Sequence, residues 1–205
     1  MKKILKHLPE QINRLYSQKA IGLTDLIHNG RLSSRQIETK FKLSPNQLPA
    51  AGLYAFWWAG DVDSLPKSTK VTLTTPNRKT QIITWDRGEV ESLNMEKFPL
   101  YIGKTTNLSK RLSMHLSLGR KEWKRGKFDS GRVVKKTTAC QFRAGIEHLY
   151  GFPRKKSLEE IFKNIEISFV NIPNEKNGQG IKDRFYLEDL AVGLFRPWFN
   201  VDSER

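Results

Sequence analysis

The sequence predicts an α+β fold, and three observations predict it. Short aromatic or β-branched apolar runs, bounded by Gly and Pro, mark strands at residues 51–59, 99–103 and 165–170. Two alternating runs on either side of Pro76-Asn77 mark a hairpin over residues 70–85. Elsewhere apolar residues return every three or four positions, as on one face of a helix. At 205 residues, 38% hydrophobic and 10% aromatic, the chain has the length and composition for one domain with a substantial core and a small appendage.

The elements follow in order. Residues 1 to about 48 read as short helices. Ile4, Leu5, Leu8, Ile12 and Leu15 share one helical face. A second helix is predicted from Leu23 to Asn29, stopped by Gly30, and a third from Ser33, with Gln36 at the capping-box offset and Ile37 and Phe41 on its apolar face. This segment is either a helical cap on the main domain or a DNA-contacting appendage of helix-turn-helix type. Ala-Gly-Leu-Tyr-Ala-Phe-Trp-Trp-Ala at 51–59 is a buried strand, and Pro99-Leu-Tyr-Ile-Gly103 is another, closed by glycine. A helix from Thr105 to Leu118 carries Leu108, Leu112, His115 and Leu116 on one side, with Thr105, Thr106 or Asn107 as its cap. Residues 119–143 are polar and basic. A helix near 158–164 leads into the strand at 165–170, a loop spans 174–180, and a last helix runs from about Asp183 to Phe195, before Pro197.

Charge narrows the function. Lys and Arg number 36 against 21 Asp and Glu, a net charge of +15. Such an excess attracts polyanions, and nucleic acid is the expected partner. The plain alternative is charge carried for solubility alone. With Cys140 as the one cysteine, neither an internal disulfide nor a cysteine metal cluster can form, which fits a reducing compartment. Met1 to Leu8 lacks the apolar stretch of a signal peptide, and no run approaches a membrane span. A soluble, cytoplasmic protein without membrane association is expected.

Four groups of residues can carry chemistry. Glu188 sits among apolar neighbours on the last helix, where Leu187, Leu190, Ala191 and Leu194 form one stripe and Phe185, Val192 and Phe195 a second. A carboxylate there needs a cation, either a Lys or Arg partner or a metal ion. Mg²⁺ is often held by only one or two carboxylates, with water and phosphate oxygens completing its shell. Arg111 and His115, four apart, share one side of a helix. The first offers a planar fork for phosphate and the second exchanges protons near neutral pH, although most such pairs are ordinary surface residues. Tyr54 and Tyr101 lie in apolar strands, where tyrosine is usually core. Gly103-Lys104 puts a close-approach residue and a cation at a strand end. The basic run Lys121, Lys124, Arg125, Lys127, Arg132, Lys135 and Lys136 is the candidate nucleic-acid-binding stretch.

Taken in order, these residues resemble the GIY-YIG nuclease superfamily, nearest its restriction-enzyme branch. Gly52-Leu53-Tyr54 and Tyr101-Ile102-Gly103 resemble the two namesake motifs, with Leu in place of Ile in the first. Arg111 falls where the family has its helical arginine, Glu188 where it has its metal-binding glutamate, and Asn200 where many members have asparagine. His115 matches a histidine of the restriction branch. The resemblance spans roughly residues 51–201. It implies a small mixed or antiparallel sheet flanked by helices, with the two tyrosine strands antiparallel. It also implies that Tyr54, Tyr101, Arg111, His115 and Glu188 converge on one face.

The activity implied is metal-dependent hydrolysis of DNA, leaving a 5′-phosphate and a 3′-hydroxyl. Glu188 would hold one divalent ion, Mg²⁺ or Mn²⁺, and Arg111 would face the phosphate. Tyr54 would orient or deprotonate water with help from His115 or Lys104, while Tyr101 positions water or phosphate and Asn200 supports the site. The tyrosines lie 47 positions apart, further than in a minimal module. Residues 49–205 are therefore expected to form the nuclease domain, with insertions around 60–97 and 119–160. Cutting both strands would take a homodimer on duplex DNA or two successive events. The competing readings are a homing, repair or single-strand nuclease, a regulatory DNA-binding protein on a nuclease scaffold, and a nucleic-acid packaging protein.

Overall fold

The computed structural model describes residues 9–29, 31–74, 80–116, 141–150, 154–175 and 178–200. It is a mixed α+β structure with a central antiparallel sheet of four strands flanked by helices.

Helix α1 (Glu10–Ser17) follows Pro9, whose fixed φ suits a helix start, and buries Ile12, Leu15 and Tyr16 on one side. A two-residue strand β1 (Ile21–Gly22) comes next, then a 3₁₀ turn (Leu23–Leu26), and strands β2 (Ile27–His28) and β3 (Arg31–Leu32) pair as a tiny hairpin. The expected helix from Leu23 to Asn29 is thus replaced. Leu23 and Leu26 are both fully buried, and a spacing of three serves a 3₁₀ turn as well as an α-helix. Asn29 adopts a left-handed conformation and turns the chain. Helix α2 (Ser34–Phe41) starts where expected, because the Ser33 hydroxyl accepts a bond from the Gln36 amide at 3.3 Å.

Strand β4 (Gly52–Trp58) is buried along its whole length. Strands β5 (Ser68–Thr74) and β6 (Thr80–Asp86) form the expected hairpin as a separate two-stranded sheet, while Pro76-Asn77 lies outside the described residues. A short helix α3 (Arg87–Glu91) leads to strand β7 (Phe98–Thr105), which continues two residues past Gly103 instead of stopping there. Helix α4 (Leu108–Leu116) follows.

Helix α5 (Gln141–Tyr150) was not expected. Phe142 and Ile146, four apart and fully buried, are its helical signal where the basic stretch ends. Arg143, read as part of that basic run, is itself fully buried. Helix α6 (Arg154–Asn164) passes directly into strand β8 (Ile165–Asn171), and helix α7 (Gln179–Phe195) closes the described chain, starting four residues before the expected Asp183. Arg196 ends it in a left-handed conformation.

The sheet order is β1-β8-β4-β7, so β7 is an edge strand. β4 pairs antiparallel with both β7 and β8, and Tyr54 lies opposite Gly103. Strand pleating sends successive side chains to opposite faces. Tyr54, Phe56 and Tyr101 enter a core with Leu108, Leu112, Phe142 and Ile161. Leu53, Ala55, Trp57 and Ile102 enter a second core with Ile12, Leu15, Leu187, Ala191 and Phe195. Each buried Leu, Ile or Phe stabilises the fold by roughly 1.5–3 kcal/mol, so α1 and α7 are held chiefly by the second core. The buried Ser168 hydroxyl joins α1 to the sheet, accepting from Trp57 Nε1 and donating to Leu15 O, both at 2.7 Å.

Candidate active site

The site forms around the C-terminal half of edge strand β7. Tyr54 points from the middle of β4 toward α4, and its side chain is fully buried. Gly103, its partner across the ladder, is the reason it fits. A methyl group at Gly103 would lie 2.4 Å from Tyr54 Oη and 2.9 Å from Tyr101 Cε1. Gly52 is needed for a similar reason, since a methyl group there would lie 1.9 Å from Val170 O. Both motif glycines therefore mark close approaches within the sheet.

Helix α4 supplies the next two groups. Asn107 caps it, its side-chain oxygen accepting from Lys110 N at 2.9 Å. Leu108 N donates to Ala50 O at 2.8 Å and ties the helix start to the segment before β4. Arg111 and His115 then lie one turn apart above the tyrosines. Arg111 Nε donates to Tyr54 Oη at 2.9 Å, and Arg111 Nη2 to Tyr101 Oη at 3.4 Å. His115 Nε2 meets Tyr54 Oη at 2.7 Å.

The His115 ring is enclosed by Tyr54, Tyr101, Phe56 and Phe142, with ring centroids 5.3 to 5.7 Å away. Burial, with the Arg111 cation as a second cause, holds its pKa well below the ordinary value, so it is neutral at physiological pH. Phe142 stacks on Phe56 with centroids 4.0 Å apart and makes one wall of this enclosure. Sequence reading missed Phe142; its spacing to Ile146 was the available signal.

Glu188 arrives from the other face of the sheet. It lies on α7, whose Leu187, Ala191 and Phe195 pack into the second core. Its side chain is 16% exposed, and Lys104 engages both oxygens. Lys104 N donates to Oε1 at 3.0 Å and the Lys104 ammonium pairs with Oε2. The five residues expected on one face are therefore divided. Tyr54, Tyr101, Arg111 and His115 share one side, and Glu188 with Lys104 lies across the edge strand from them. The physical reason is pleating: Lys104 alternates with Gly103, beneath which the tyrosines sit.

The salt-bridge reading of Glu188 is the one present, with Lys104 as partner. Phe185, expected within an apolar stripe, is instead 45% exposed, and the Lys104 ammonium lies 4.1 Å from the centroid of its ring.

Asn200 touches neither group. Its amide pairs with the backbone of Ile102 in both directions, at 2.8 and 2.7 Å, and Phe199 N donates to Leu100 O at 2.8 Å. Asn200 thereby satisfies backbone groups on the edge of β7, which would otherwise lack ladder partners. It is a positioning residue for the strand that carries Tyr101 and Gly103. The basic residues Lys121, Lys124, Arg125, Lys127, Arg132, Lys135 and Lys136 lie outside the described residues.

For a metal ion, the donor chemistry offers one carboxylate. Among the described residues no cluster of three or more His, Cys, Asp or Glu side chains forms a cage. Glu188 alone, 16% exposed and already paired with Lys104, would hold a single hard divalent ion that kept most of its water or phosphate oxygens, with the Lys104 ammonium moved off Oε2.

Among the described residues, no helix is long and apolar enough to cross a membrane. Comparison with family models, with curated proteins and with solved structures returns no match to this chain.

Proposed function

We propose that the chain is a metal-dependent endonuclease that hydrolyses phosphodiester bonds, acting site-specifically on duplex DNA in the manner of a restriction enzyme. The observation that carries this reading is the Arg111–Tyr54–His115 cluster near the Lys104–Glu188 pair on the edge strand. Neutral His115 Nε2 and the Tyr54 hydroxyl share one hydrogen bond, which fixes the phenol in place. Arg111 Nε faces the same oxygen and stabilises negative charge on it. Tyr54 would then orient the attacking water once bound DNA admits water to the phenol, the proton of that water passing to solvent and the departing 3′-oxygen taking one from solvent. Tyr101, sharing Arg111, positions the phosphate, and the second edge of the Arg111 guanidinium offsets charge that builds on it. Lys104 neutralises the same region from across the strand. A divalent ion held by Glu188, Mg²⁺ or Mn²⁺, would supply Lewis-acid polarisation of the phosphate.

Incubation of the protein with supercoiled plasmid and phage DNA, with Mg²⁺ or Mn²⁺ and with chelator, tests this beside Glu188→Ala. Discrete metal-dependent fragments are expected from the wild-type protein. Losing one transition-state charge partner commonly lowers the rate about 10²–10³-fold, so the variant should be nearly silent while still binding DNA. Normal cutting by Glu188→Ala removes the metal assignment.

A second reading has its own support. The Lys104 ammonium already fills the cation position at Glu188, as it would in a DNA-binding protein on a nuclease scaffold. Tight, salt-sensitive DNA binding with no cutting under any metal condition decides for it.

A further inference from the structure

The rim of the proposed active site carries an apolar wall that phosphodiester chemistry does not require. A cavity of about 400 Å³ opens between the start of α4 and the start of α7. Lys104, Lys110, Arg111 and Arg184 bring positive charge to its lining, and Met114, Ile181 and Phe185 bring apolar surface. These three apolar side chains are 39%, 47% and 45% exposed, although each belongs to a helix that buries other apolar residues in a core. Exposed large apolar side chains gathered at a pocket mark a binding surface, and an aromatic face beside cations suits a nucleobase attached to a phosphate. The volume is of the order expected for a small-molecule site.

We infer that this cavity is a nucleotide subsite, in which Phe185, Ile181 and Met114 receive the base next to the scissile phosphate while Lys104, Lys110 and Arg111 face the phosphate itself. The inference rests on the endonuclease reading and deepens it. A base seated against Phe185 has left its stack, so the enzyme acts on a nucleotide drawn out of the duplex and favours sites where unstacking is easy. Lys104 lies between Glu188 and the Phe185 ring, so one side-chain movement opens both the carboxylate and the aromatic face.

The test compares two probes on the full chain in Mg²⁺: thymidine 3′,5′-bisphosphate and the abasic 2′-deoxyribose 3′,5′-bisphosphate. Binding is followed by amide chemical shifts. A stacked base should make the nucleotide bind roughly tenfold more tightly than the abasic sugar. Phe185→Ala should abolish the preference, so that the variant binds the nucleotide and the abasic probe equally. Phe185 is half-exposed, so the variant should fold, and Phe185→Tyr should restore the preference. Equal binding of the two probes by the wild-type protein overturns the subsite, and so does binding of neither.

Plasmid cleavage judges the endonuclease reading separately. Cutting without base preference removes the subsite alone. Base preference without cutting keeps a nucleotide site and removes the nuclease.

Discussion

At the scale of single residues, His115 is the most informative group. It is 1% exposed, and its imidazole is kept neutral first by burial and then by Arg111. The sign of the resulting pH dependence follows from linkage. In the unfolded chain a histidine takes up its proton near pH 6.5, whereas folded His115 resists protonation until well below that. Between those two values the unfolded state binds the extra proton, so stability falls as pH drops below about 6.5, by at most about 1.4 kcal/mol per pH unit. Denaturant unfolding of the wild-type protein and of His115→Gln at pH 7.5, 6.5 and 5.5 measures this. The wild-type protein should lose stability more steeply toward pH 5.5 than the variant does. Identical slopes would place the imidazole in contact with solvent.

Most of the candidate residues were legible as residue types at motif spacings. Arg111 and His115 are joined by one helical turn, and the tyrosines by their strands. The Lys104–Glu188 pairing was not legible, because 84 positions of chain separate the partners and only the packing of α7 against β7 joins them.

At the scale of elements, β7 carries the site because it lies at the sheet edge and because Gly103 leaves room. Gly103→Ala puts a methyl group within 2.4 Å of Tyr54 Oη, so the phenol must leave Arg111 and His115. Overpacking of this kind costs about 1–3 kcal/mol, and a 1 Å displacement of a reacting group lowers turnover by about 10²-fold. Gly193→Ala is the matching control. It lies within α7 with nothing within 4 Å of the new methyl, so it should stabilise by about 0.5–1 kcal/mol. Thermal unfolding and single-turnover cleavage of both variants separate the two cases. Unimpaired cutting by Gly103→Ala would remove Tyr54 from the reaction.

Strands with long apolar runs and the capped helix α2 were visible because local pattern decides them. The β1 strand and the β2–β3 hairpin were not, since two-residue strands have no measurable period. Their pairing is set by neighbours, in the case of β1 by β8.

At the scale of the whole molecule, the charge of +15 favours polyanionic partners, and the proposed partner is DNA. Replacing Lys121, Lys124, Arg125 and Lys127 by neutral residues should weaken DNA binding. For every phosphate left without its cation, the slope of log affinity against log salt becomes shallower by about 0.9. Binding measured across a salt series checks this, and an unchanged slope excludes the stretch from the interface.

The sequence by itself determined the α+β class, the strand and helix identities of most long elements, the net charge and the residue types available for chemistry. These follow from composition and local periodicity, which a chain carries before it folds. The tertiary structure decided which residues meet. Sheet order put β7 at an edge, pleating divided the tyrosines from Glu188, and the packing of α7 gave the carboxylate to Lys104. Each of these depends on contacts between distant segments, whose free energy has no local signature.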